Sequence, residues 1–176
     1  CLICGEISPD FVGMLIDSLL ESDKWDLNFL NNLIFASDCL WETKNRRAIA
    51  KKDAHLLDVL KRELDNIFYY TPLDRMNNMV MNAIPDILLS QIIKVWRDDL
   101  EAIPYLQYLV QTSPDIHVQF QALSELTGYH QKDPRVLPWL KQIILSPVEG
   151  GLVRKEALKD FMKGYPEDFE RININN

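Results

Sequence analysis

From Asp10 onward, apolar residues recur at three- and four-residue spacing, the period of an amphipathic helix, and no stretch alternates as a half-buried strand would. Phe11, Leu15, Ile16 and Leu19 predict a first helix over roughly Asp10–Glu21, broken at Ser22 and Asp23. A second follows from about Asp26, with Leu27, Leu30, Leu33, Ile34 and Leu40 as its stripe. A third covers Lys51–Tyr69 through Leu56, Leu57, Leu60, Leu64, Ile67 and Phe68. Thr71-Pro72 opens a fourth, threonine as N-cap and proline at the first helical position, where its missing N–H costs nothing. Within Ala83-Ile84-Pro85-Asp86 the proline disfavours helix for its predecessor. The pattern therefore predicts a boundary between two short helices there, with Ile87, Leu88, Ile92 and Val95 restarting a stripe through Trp96.

Beyond Asp98 the pattern becomes regular. Leu100, Ile103, Leu106, Leu109 and Val110 form one face, ended by Ser113-Pro114, and Ile116, Phe120, Leu123 and Leu126 form the next, stopped at Gly128. Asp133-Pro134 precedes Val136, Leu137, Leu140, Ile143 and Ile144. Turn residues Ser146-Pro147 and Gly150-Gly151 lead to Val153, Ala157, Leu158 and Phe161, stopped by Gly164 and Pro166. Val118, Ala122 and Leu123 recur as Val153, Ala157 and Leu158 about 35 residues later, and Pro104-Tyr105-Leu106 recurs as Pro138-Trp139-Leu140. A single hairpin cannot bury its apolar face, so an echo at this period predicts stacked hairpins. The expected architecture is all-α: a helical linker or capping region over 1–97, then a short α-solenoid of antiparallel helical hairpins over 98–176. Its core and seam residues are Tyr105, Ala122, Leu123, Tyr129, Trp139, Leu140, Val153, Arg154, Ala157, Leu158 and Tyr165. The small alanines suit close helix approach. The aromatics near turns either plug the seam between hairpins or line a recognition surface. Arg154 is expected to brace the repeat through a neighbouring carboxylate or carbonyl.

Composition narrows the function classes. A chain of 176 residues, 47 % hydrophobic, holds one ordinary domain, or one domain with a few repeats. A net charge of −7 argues against bulk nucleic-acid binding, which needs clustered cations, while leaving a local basic patch open. No apolar run is long enough to span a bilayer, and a soluble, cytoplasmic protein is expected. The three cysteines, Cys1, Cys4 and Cys39, supply neither a disulfide framework nor the four ligands of a structural zinc site. The chain lacks an initiator methionine and a basic segment ahead of its short apolar start, and reads as a fragment of a longer protein or a processed product.

Candidate chemistry is sparse, and no catalytic, cofactor-binding or metal-ligating set is expected. His55, His117 and His130 lie on separate elements. The adjacent pairs Asp98-Asp99 and Glu167-Asp168 do not share a helical face as a catalytic pair would. Gly150-Gly151 lacks the Gly-Lys-Ser/Thr of a phosphate loop. An enzyme would have to gather distant residues, for example Cys39 with one histidine. The one charge feature is Lys44, Arg46, Arg47, Lys51 and Lys52, following Trp41. These six residues are the candidate contact surface for phosphate or an acidic partner, or else a solvated interhelical turn.

The segment from Val118 to Phe169 resembles HEAT-like helical repeats, especially those at the C-terminal end of bacterial, chiefly cyanobacterial, NACHT-type NTPases of the STAND class. The likeness rests on Gln121-Ala122-Leu123, Gly128-Tyr129, Lys132-Asp133-Pro134 and Val136-Leu137-Pro138-Trp139-Leu140-Lys141. It continues through Val153-Arg154-Lys155-Glu156-Ala157-Leu158 and Gly164-Tyr165-Pro166-Glu167-Asp168. Tyrosine stands where that group usually has tryptophan after glycine, and Val118-Gln119 replaces its Val-Arg pair. Leu40-Trp41-Glu42 through Asn45, Arg46 and Arg47, with the helix through Leu64, looks like the linker between NTPase module and repeats. The resemblance implies that nucleotide hydrolysis and oligomerisation belong to an upstream module. The repeats would then be a sensor arm for a protein or other ligand, in signalling or defence. The alternative is a free-standing scaffold or adaptor that binds a protein partner through Trp41 and the Lys44–Lys52 region.

Overall fold

The computed structural model describes residues 8–21, 27–43, 45–69, 79–99, 101–146 and 150–169, and every regular element among them is helical. The chain divides into two compact units, Cys1–Arg97 and Asp98–Asn176. Cys1, Cys4, Ser22, Asp23, Asp26, Lys44, Thr71, Pro72, Leu100 and Pro147 lie outside the described residues, as do the side chains of Leu27, Ile67 and Phe68.

In the first unit, α1 (Pro9–Leu20) starts at Ser8, whose hydroxyl accepts from Phe11 N at 3.4 Å, with Pro9 entering the first turn. It packs on α2 (Leu27–Glu42), on a 3₁₀ turn at Arg46–Ile49 and on α3 (Ala50–Tyr69). Gly13 permits that approach, because a Cβ there would stand 3.3 Å from Ile49 Cγ2. Leu33, Ala36, Leu40, Leu56, Leu60 and Leu64 form the core with Val12 and Ile16. Buried hydroxyls are satisfied one turn back, Ser37 Oγ donating to Leu33 O at 2.7 Å and Thr43 Oγ1 to Cys39 O at 2.8 Å.

The fourth helix corrects the sequence-based expectation at Pro85. α4 runs without interruption from Met79 to Trp96 with the proline inside it. Proline forfeits one backbone hydrogen bond and crowds the preceding turn. Here the ring itself is buried beside Ile84, and Leu88, Leu89 and Ile92 continue the face that packs on α2 and α3. Tertiary burial along one continuous stripe outweighs the local cost.

The second unit contains α5 (Ala102–Thr112), α6 (Ile116–Gly128), α7 (Val136–Leu145) and α8 (Gly151–Gly164). α5 packs on α6, α6 on α8, and α7 on α8. The α5–α6 turn is closed locally. Asp115 caps α6 by accepting from His117 N at 2.8 Å, Asp115 N donates to Ser113 Oγ at 3.2 Å, and Gln119 Nε2 reaches Ser113 O at 2.8 Å. Before α7, Asp133 accepts the backbone N–H and the guanidinium of Arg135 at 2.9–3.0 Å.

Candidate interaction surfaces

The basic segment of the first unit is drawn partly into its own fold. Arg46 forms a fork on Asp53, Nε to Oδ2 and Nη2 to Oδ1, both at 2.9 Å, and its Nη1 donates to Val95 O at 2.6 Å. The same carboxylate accepts Trp96 Nε1 at 2.5 Å, and the guanidinium carbon lies 5.7 Å from the indole centroid. One arginine therefore ties the 3₁₀ turn, α3 and the end of α4 together. Lys52 pairs with Asp17 of α1, and Lys94 with Asp38 of α2 at 2.8 Å. Arg47, Lys51 and Trp41 remain exposed, the indole at 52 %. The structure thus separates the proposed surface residues into an internal brace, Arg46, a lysine in an exposed ion pair, Lys52, and solvent-facing groups. Asp53 was not singled out from the sequence. No i,i+3 or i,i+4 spacing marks it, because Arg46 stands in the 3₁₀ turn and Asp53 in α3.

In the second unit two of the three echoed pairs share burial. Val118, Ala122 and Leu126 on α6 are buried, as are Val153, Ala157 and Phe161 on α8. A further pair, Leu126 and Phe161, stands at the same interval of 35 in the sequence but is obscured by their different size. Cross-links between the helix ends keep nearly the same offset. Thr127 Oγ1 donates to Asp160 Oδ2 at 2.9 Å, Tyr165 Oη donates to Gln131 O at 2.6 Å, and Gln131 Nε2 donates to Gly164 O. Burial pushes the Tyr165 phenol above its ordinary pKa, with Asp168 adding to the effect.

The remaining seam residues differ in placement. Leu140 is buried and Tyr105 is half-buried, its ring stacked on Tyr108 at 6.3 Å. Trp139 is half-buried. Arg154 Nη1 reaches Ser146 O, a carbonyl, at 3.3 Å. Tyr129 is exposed, its hydroxyl donating to Asp98 Oδ1 at 2.6 Å. Leu158 is 38 % exposed, whereas its counterpart Leu123 is fully buried on α6, a helix packed against both α5 and α8. The far end is closed by Lys141, which pairs with Asp168 at 2.9 Å and lies 5.9 Å from the Phe161 ring centroid.

Cys39 is buried in α2, while His55 is an exposed residue of α3 and His117 an exposed residue of α6. Among the described residues no group of three histidine, cysteine or acidic side chains is arranged to hold a metal ion, and no helix is long and apolar enough to cross a membrane. No family model, curated protein or solved structure matches the chain.

Proposed function

We propose that this chain is a non-catalytic helical-repeat module that binds a protein or other ligand. Its second unit would be a short HEAT-like solenoid, and the whole the C-terminal, cytoplasmic part of a NACHT-type signalling or defence NTPase. The observation that supports the repeat reading is the offset of 33 to 35 residues that links several positions of α6 and its following turn to α8 and its end. Residues 33 to 35 apart share burial, as Ala122 and Ala157 do, or bond to each other, as Thr127 and Asp160 do. Stacked units repeat one supersecondary element, so equivalent residues take equivalent roles at a fixed interval. The parent-family reading rests on the Gly-Tyr, Asp-Pro and Val-Arg-Lys-Glu-Ala-Leu residues of the sequence. The upstream NTPase would supply hydrolysis, and this module recognition.

Affinity capture from the native host tests the assignment, using the parent gene product intact and truncated after Trp96. Retained helical melting by circular dichroism checks that the truncated form is folded. Recovery of a partner with the intact protein alone supports recognition by the second unit. Equal recovery with both assigns that unit a structural role and moves recognition upstream.

A further inference from the structure

We infer that the outward face of α8 is a docking site for an acidic amphipathic helix of a partner protein. The inference rests on the interaction-module reading and adds the surface and the chemistry of what it binds.

At 3.6 residues per turn, Leu152, Lys155, Leu158, Lys159, Met162 and Lys163 fall within one arc of about 140° on α8. All six are exposed, Leu152 at 64 % and Met162 at 48 %. The buried stripe of Val153, Ala157 and Phe161 lies on the other side of the helix. Two independent features say what this face takes. The first is continuity with an interface already present in the fold. Leu158 and Met162 stand 35 residues after Leu123 and Thr127, and that row on α6 meets α8 through Thr127, which donates to Asp160 Oδ2, with Leu123 one turn before it fully buried. The same row therefore suits a helix laid across α8 as α8 is laid across α6.

The second feature is charge. The chain carries a net charge of −7, yet this arc holds three lysines and no carboxylate. Glu156, at its edge, engages Lys159 at 2.7 Å, while Asp160 is turned toward Thr127. A row of lysines alongside the apolar pair Leu158 and Met162 selects a helix with the converse pattern, an apolar stripe at three- and four-residue spacing with glutamate or aspartate beside it. The lysine stems add apolar contact while their ammonium groups meet the carboxylates.

A labelled synthetic helix of roughly five turns, with a leucine stripe flanked by glutamates, provides the probe, titrated against the full chain by fluorescence anisotropy. A matched helix with lysine in place of glutamate is the control. The glutamate helix is expected to bind at least tenfold tighter than the lysine helix, and more weakly as salt is raised. Met162→Ser should weaken binding about tenfold, and the triple change Lys155→Glu, Lys159→Glu, Lys163→Glu should reverse the preference between the two helices. All these positions are exposed, and unchanged thermal melting of each variant confirms that the fold is intact.

Equal binding of both helices, binding of neither, or a preference that survives the lysine reversal would overturn the inference. Two further outcomes would replace the occupant. A dimer in sedimentation that dissociates with Met162→Ser assigns the face to a second copy. A parent protein that fails to bind the helix bound by this chain assigns it to the parent's own continuation. In either case a host partner still captured through the second unit would leave the module reading standing, so the two failures are distinguishable.

Discussion

Replacing Asp53 by alanine removes the acceptor shared by two elements, and the structure sets the size of the loss. Trp96 is almost wholly buried, and its indole N–H would lose its acceptor, at a cost of about 1–3 kcal/mol for an unsatisfied buried donor. Arg46 would lose both charge-assisted bonds of its fork. Breaking a fully buried ion pair costs about 3–5 kcal/mol. Here the side chains of Arg46 and Asp53 are 27 % and 15 % exposed, so water recovers part of that. The expected net destabilisation is about 2–4 kcal/mol. With a urea slope of about 1–3 kcal/mol per molar, that moves the unfolding midpoint of the first unit by about a molar or more. The internal control is Asp17→Ala, which removes the partner of Lys52 from a pair whose side chains are about 40 % exposed. It should cost less than about 1 kcal/mol. Urea titrations followed by circular dichroism and tryptophan fluorescence read both variants. An Asp53→Ala midpoint equal to that of Asp17→Ala would refute the brace and return Arg46 to the group of free surface cations.

Three further outcomes are expected. Ala157→Phe should destabilise the second unit by about 1–3 kcal/mol through overpacking, read as a lowered melting temperature; unchanged stability would remove Ala157 from the packed interface. Tyr165→Phe deletes the hydroxyl that donates to Gln131 O and should cost about 1 kcal/mol, with faster amide exchange at the C-terminal end of α8. The Arg135 guanidinium and backbone N–H hold the Asp133 carboxyl at about 2, below its ordinary 3.8. A lowered folded-state pKa means this contact's stabilisation is present above pH 3.8 and is lost as pH falls through about 2. A carboxyl-detected NMR titration should show Asp133 returning toward its ordinary value in Arg135→Ala, and an unmoved midpoint would refute the cause.

Most helices were legible because their apolar period is local information. The stripe of Leu56, Leu60 and Leu64 needs only 3.6 residues per turn to declare a buried face, and it is buried. The interval of 35 likewise marked Val118 with Val153 and Ala122 with Ala157, pairs that share burial. Chain-local reasoning misjudged Pro85, since the lost hydrogen bond is visible in the sequence while the packing of α4 against two other helices is not. It also grouped Arg46 with Arg47 and Lys51, which differ in what faces them. Arg46 meets a carbonyl 49 residues away, while the other two are exposed.

By itself, then, the sequence determined that the chain is helical, that certain residues recur about 35 positions apart, and that cations gather after Trp41, because each follows from spacing along the chain. Only the tertiary structure decided which of those cations are used internally. It alone separated Leu123 from Leu158, equivalent by sequence and opposite in exposure. The physical reason is the same in both cases. Burial and ion pairing belong to neighbours brought together across long stretches of chain, and among the described residues α8 packs on α6 while its own outer face, with Leu152, Leu158 and Met162, is exposed.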